Sequence, residues 1–274
     1  MLATSDNPPI TPWLRLITFI EVLVLLGAGL GLFFAPELIR PQWPWSPAPF
    51  NTRFLGATYL ASLVTVIMLA LGARWAPARV VLPALFGFTL IVLIVSLLNL
   101  NQFDFGRWST VVIWFPLYSV LPLSAAYHLW LYRKLPPADP TPTPAGWRAY
   151  LSIVALGLGL YSVGLLVAPA TFSAFWPWPI DAFHAQMYSA AFASGAIGAF
   201  MVSRVAARSE WLIAALAQGV FGLFAILGVL LVDASTQRVD YRQPGAWLWL
   251  GAFAGMTVAS LGMLWQARYR RAPA

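Results

Sequence analysis

Eight runs of apolar residues, each long enough to cross a bilayer, leave this chain only one solvent. A helix that spans the hydrocarbon core needs ~20 mostly apolar residues, because it must pair its own backbone amides where no water reaches them. The runs are Trp13 to Phe34, Phe50 to Ala73, Ala78 to Asn101, Ser109 to Arg133, Trp147 to Ala168, Phe183 to Ala206, Ser209 to Asp233 and Pro244 to Ala267. Only 9% of the 274 residues are charged, too few to cover a water-facing surface when a soluble domain carries about 25%. The expected fold is all-α, a polytopic membrane protein with eight transmembrane helices. The first run is read as a retained span. It is longer than a secretory apolar region, carries Glu21 and ends without a small-x-small cleavage pattern.

Compared with itself at an offset of 133 residues, the chain matches its rarest tripeptide, Trp43-Pro44-Trp45, to Trp176-Pro177-Trp178. The same register pairs Ala35-Pro36 with Ala168-Pro169, Arg15 with Arg148, Phe50 with Phe183 and Trp114 with Trp247. Apolar identities alone mean little in so apolar a sequence; tryptophan and proline matches in one register mean more. The expected organisation is a first four-helix repeat over 1–133, a Pro-rich linker over 134–146 and a second four-helix repeat over 147–274. Four spans per repeat return the chain to its starting side, so the repeats are parallel, related by a pseudo-two-fold axis along the membrane normal. The linker's prolines favour an extended spacer that crosses the bundle.

Lysine and arginine stay preferentially on the cytoplasmic side. With the N-terminus inside, that side holds Arg15, Arg74, Arg79, Arg133, Lys134, Arg148, Arg204, Arg208, Arg268, Arg270 and Arg271, whereas the outer side holds only Arg40, Arg53, Arg107, Arg238 and Arg242. Both termini are therefore expected in the cytoplasm of a bacterium, the chain being multi-pass in its cytoplasmic membrane. The net charge of +7 is spread over span ends and forms no contiguous basic face, which argues against nucleic acid as a partner. Membrane lipids are the default partners, with membrane proteins or further copies of the chain beside them.

After the first and fifth spans the chain turns on Ala-Pro and reaches Trp-Pro-Trp before the next span. Pro36 to Ile39 and Pro169 to Phe172 read as short helices, since proline suits a first helical position. Trp43, Trp45, Trp176 and Trp178 read either as interfacial anchors at headgroup depth or as the lining of an outer ligand pocket. The run from Trp43 to Ala57 resembles a motif of uncharacterised bacterial multi-pass membrane proteins, roughly Trp-Pro-Trp-Ser/Thr followed by Arg-x-x-Gly-Ala. The second repeat departs from it, with Gln186 and Ser189 at the arginine and glycine positions. The resemblance implies a membrane family and no activity.

An ionisable group inside a span is a candidate site because of what it costs to bury. Glu21 lies near the middle of its span, and Gln218 and Thr65 fall at nearly the same depth. It is either a carboxyl hydrogen-bonded across a helix seam to one of these or to a backbone carbonyl, or a proton or cation site. Arg53 and His184, near the outer ends of their spans, are interfacial groups or a shared anion or headgroup site. Pro116 and Pro122 are expected to kink the fourth span and loosen packing there. Residue pairs at four-residue spacing, such as Gly27 with Gly31, Ser194 with Gly198 and Gly251 with Gly255, read as helix seams.

No cofactor, metal or catalytic group is expected. His128 and His184 fall at opposite ends of their spans, too far apart for one haem, and the only lysine is in the linker. Metallohydrolase and serine-hydrolase signatures are missing from the sequence, and the charged outer loops read as solvated, so an enzyme is the least supported class. The leading expectation is a structural or accessory membrane subunit. The alternative is a transporter or channel for a small or lipidic solute with Glu21 as its intramembrane polar site; a continuous polar cavity reaching Glu21 between the repeats would favour it, and a dry seam there with a large apolar lateral face would favour the accessory role.

Overall fold

The computed structural model describes residues 7–269. The chain is an all-α polytopic membrane protein, with eight helices long and apolar enough to span. In order they are α1 (Pro12–Phe34), the short α2 (Pro36–Ile39), α3 (Pro49–Gly72), α4 (Trp75–Leu98), a π-helical turn over Ser109–Trp114 running into α5 (Phe115–Tyr132), α6 (Ala145–Val167), the short α7 (Pro169–Ser173), α8 (Ala182–Arg204), α9 (Arg208–Thr236) and α10 (Pro244–Gln266). Of the basic residues counted for orientation, Arg270 and Arg271 lie outside the described residues.

The helix starts follow from local chemistry. Proline opens α1, α3 and α10, where a missing N–H costs nothing. Thr11 Oγ1 accepts from the Leu14 amide at 3.1 Å, Asp181 Oδ1 from the His184 amide at 2.8 Å, and Glu210 Oε2 from the Ala207 amide at 2.7 Å, so each satisfies an amide that the first turn leaves open. α4 begins at Trp75, ahead of the Ala78 expected from the sequence, because Pro77 falls within its first turn. Just before Pro116, the regular i to i−4 ladder gives way to the π turn.

Helix boundaries recur at the 133-residue offset. α1 and α6 start at 12 and 145, α2 and α7 at 36 and 169, α3 and α8 at 49 and 182, α4 and α9 at 75 and 208. Both expected short helices are present, and each folds back on the long helix before it. A Cβ at Gly31 would lie 2.3 Å from Ile39 Cγ1, and one at Gly164 would lie 2.3 Å from Phe172. Glycine is required at both because the following short helix seats its side chain there.

The packing interleaves the halves. α1 rests on α3, α3 on α9 and α9 on α10; in the same order, α6 rests on α8, α8 on α4 and α4 on α5. The first long helices of each half thus seat against the last helices of the other, and α3 and α8 are the most covered spans. One aromatic cluster at the elbow end joins the halves: Phe54 of α3 touches the rings of Trp176, Trp178, Tyr188, Phe221 and Phe253. At the opposite end, the linker is pinned rather than free. Trp75 Nε1 donates to Pro136 O at 2.8 Å, and Thr143 Oγ1 donates to Val202 O at 2.6 Å. Beneath it the Arg79 guanidinium grips the fully buried Glu210 at 2.5 and 2.8 Å and donates to Val205 O.

Most of the small-residue seams expected from spacing are not seams within this chain. A Cβ at Gly27, Gly198, Gly251 or Gly255 would meet nothing within 4 Å. Close approaches occur instead at Gly56, against the Phe33 backbone, and at Gly222, against Phe253 O and Thr257. Four-residue spacing marks one stripe of a helix, and the stripe faces lipid or open space as readily as a neighbour.

Candidate functional site

Glu21 faces a cavity of about 470 Å³ to which all eight long helices contribute wall. Its side chain is buried, and it makes no hydrogen bond or ion pair among the described residues. The seam partners expected for it are engaged elsewhere. Gln218 Nε2 donates to Tyr150 Oη and Met256 O, both at 2.8 Å, and Thr65 Oγ1 donates to Ser62 O at 2.7 Å. Gln218 and Thr65 nevertheless line the same cavity as Glu21.

The two halves furnish this cavity differently. From the first half come Glu21, Thr58, Tyr59, Ser62, Thr65 and Tyr118; at the positions 133 residues on stand Val154, Ala191, Phe192, Gly195, Gly198 and Gly251. The first half therefore supplies most of the polar groups, the second half only Ser194 and Gln218 among the lining residues. Tyr59 Oη and Tyr118 Oη pair at 3.1 Å, and Glu21 lies within electrostatic range of Tyr118. Gly27 and Gly198, which have no neighbour for a Cβ, are part of the lining, so their small size makes the space.

Toward the elbow end the lining includes Gln42, Trp43, Trp108 and Ser109. The Trp43 indole N–H is buried without a partner. The cavity reaches the lipid-facing surface between α1 and α5, where its lining residues Leu23, Trp108 and Ile113 are exposed. Among the described residues, the hydrogen bonds that tie this side of the protein together lie at the far ends of those helices: the Thr11 amide donates to Tyr132 Oη at 2.8 Å, and Thr11 Oγ1 pairs with His128 Nε2 at 2.9 Å.

The four elbow tryptophans are buried inside the protein and not presented to headgroups, which corrects the interfacial-anchor reading. Trp45 Nε1 donates to His184 Nε2 at 3.0 Å, and Trp178 Nε1 donates to Asn51 Oδ1 at 2.9 Å. Trp176 donates to Tyr161 Oη at 2.5 Å. Of the four, only Trp43 lines the cavity. The cause is the interleaved packing, which closes each elbow over a helix of the other half.

Arg53 and His184 do not meet: no hydrogen bond, ion pair or ring contact joins them. The Arg53 guanidinium lies 5.6 Å from the Phe33 ring centroid and its Cβ packs beside Gly228. His184 accepts from Trp45, so its other nitrogen, Nδ1, carries the proton it donates to Asp181 Oδ2 at 2.6 Å. Burial pushes the Asp181 carboxyl up, but the hydrogen bonds from the His184 ring and amide outweigh this and hold it below the ordinary aspartate value.

Sequence reasoning passed over the Tyr59–Tyr118 pair, which carries no signal beyond two tyrosines in apolar runs. It also read Arg107 as a solvated loop residue. Arg107 instead clasps the first elbow, donating to Trp43 O, to Trp45 O at 2.9 Å and to Ser46 Oγ at 3.1 Å, while pairing with Asp104 at 3.0 Å. No protein family, curated protein or solved structure matches the chain.

Proposed function

We propose that this protein binds a membrane-soluble, largely apolar ligand between its two halves and passes it within or across the bilayer, a transporter of a lipidic solute. The observation that carries this reading is the unpartnered, buried Glu21 on the wall of a cavity of about 470 Å³, within the ~300–1,000 Å³ range of small-molecule sites. A structural seam would have paired the carboxyl, since a buried polar group without a partner is destabilising. The free Trp43 N–H adds a donor to the same lining. Support for a path from the lipid comes from the exposed lining residues Leu23 on α1 and Trp108 and Ile113 at the π-helical turn that leads into α5.

The accessory-subunit reading is weaker, because a packing role needs neither the cavity nor the carboxyl. The setting proposed is a bacterial cytoplasmic membrane with both termini inside, and the chain is a duplicated unit whose copies run parallel. The recurrence of helix boundaries at the 133-residue offset supports the duplication, and the arginine distribution supports the orientation.

A twelve-carbon alkane bearing a diazirine tests the reading by photolabelling in native membranes. Label on Phe88, Val154 and Leu158 of the cavity wall, lost in Gly198→Phe while label on the exposed Leu156 of α6 persists, supports it. Label confined to exposed residues would remove it.

A further inference from the structure

Resting on the lipidic-ligand reading, we infer that the ligand is a single-chain amphiphile with a protonated amine head and no phosphate, its ammonium held by Glu21 on a cavity wall that also carries aromatic rings. Among the residues that line the cavity there is one acid, Glu21, and no arginine, lysine or histidine. An anionic head would therefore meet an acid with nothing to balance it, whereas a cation would supply the partner that Glu21 lacks.

The lining suits a cation in a second way, and Tyr118 lies within electrostatic range of the carboxyl. Trp43, Tyr59, Trp114 and Tyr118 form a continuous aromatic group on the wall from the first half: ring centroids are 5.8 Å apart for Trp43–Tyr59, 5.7 Å for Trp43–Trp114 and 4.4 Å for Trp114–Tyr118. Aromatic faces attract ammonium groups, more strongly when water is excluded. Positions 133 residues on from Glu21, Tyr59 and Tyr118 hold Val154, Phe192 and Gly251, so the second half keeps none of these three polar groups, and its Val154, Leu158 and Phe192 offer a surface for the alkyl chain.

Two sources could bring an amine to this site, a free long-chain amine or the headgroup of phosphatidylethanolamine. The phospholipid carries a phosphate next to its amine, and the cavity lining has no cationic side chain to balance it, so the free amine is the better match.

Competition against the diazirine label separates this inference from the reading beneath it. In phosphatidylcholine nanodiscs, dodecylamine, dodecanol and dodecanoate are titrated at equal membrane loading, and the disc lipid is then exchanged for phosphatidylethanolamine. Dodecylamine is expected to clear cavity label about ten-fold more effectively than the other two, the ratio a charge-assisted contact gives. Phosphatidylethanolamine is expected to leave the label in place. In Glu21→Gln the amine should lose its advantage while label itself remains. Equal displacement by all three heads, an advantage for dodecanoate, displacement by phosphatidylethanolamine, or an amine advantage that survives Glu21→Gln overturns the inference and leaves the cavity standing. If Glu21→Gln does not fold, the three-way comparison on the native chain decides alone. Absence of cavity label in the native chain overturns both readings.

Discussion

The indole of Trp45 donates to Nε2 of His184 at 3.0 Å, tying the elbow of the first half to a helix of the second. Shifted by 133 residues, the same bond reappears as Trp178 to Asn51 Oδ1 at 2.9 Å. The paired elbows thus clamp each other's opposite helices, with histidine on one side and asparagine on the other taking the same proton. A substitution that keeps an acceptor is therefore expected to be mild. His184→Asn should lose little thermal stability in detergent, whereas His184→Leu strands the buried Trp45 N–H and should cost ~1–3 kcal/mol. Equal losses for the two variants would mean that the bond does not hold the elbow.

Acid should act on the same corner. His184 keeps the Asp181 carboxyl below its ordinary value of 3.8, so the stability this pair contributes is fully present above that value and is lost as pH falls through the lower, folded one. Melting temperature is expected to drop below about pH 4, and Asp181→Asn should flatten that acid limb. An unchanged acid limb in the variant contradicts the assignment.

The Arg79–Glu210 pair sits where α4 meets α9, with Glu210 fully buried and both of its oxygens held by Arg79. Removing one partner leaves a buried charge alone. Arg79→Met is expected to destabilise by ~3–5 kcal/mol, and the double variant Arg79→Met, Glu210→Met to recover part of that loss. Unfolding midpoints of the three proteins check it. A double variant worse than the single one would show that the pair contributes more than an apolar contact can.

Ala73 ends α3 with φ of 47°, a left-handed conformation that a Cβ disfavours. Ala73→Gly should therefore raise stability by on the order of 1 kcal/mol, since glycine adopts that conformation without the steric penalty. No gain in melting temperature would count against it.

Spans, elbows and the burial of Glu21 within its helix were legible because each leaves a local signature: a long apolar run, a proline after alanine, an acid among leucines. What each residue faces was not. Trp45 and Trp178 carry the usual marks of interfacial anchors, yet they are buried because the halves interleave, and interleaving depends on which apolar surface meets which. In a chain that is apolar on nearly every face, periodicity does not separate the side against protein from the side against lipid. Gly27 and Gly198 fail as seams for the same reason, and the space they leave became visible only once α1 and α8 were placed. Arg107 was read as solvated because nothing in its own loop reveals that two elbow carbonyls converge on it.

The central claim is that Glu21 stands unpaired on a cavity reached from lipid, and carbodiimide labelling of intact membranes tests it most directly. Three acids serve as one another's controls: Glu37, whose side chain is exposed at the elbow end, Glu210, held by Arg79, and Glu21. A hydrophobic carbodiimide should modify Glu21 and spare Glu210, and Gly198→Phe should suppress that reaction by filling the cavity; a water-soluble carbodiimide should modify Glu37 and leave Glu21 untouched. No modification of Glu21 by the hydrophobic reagent, or modification by the water-soluble one as readily as Glu37, would contradict the account.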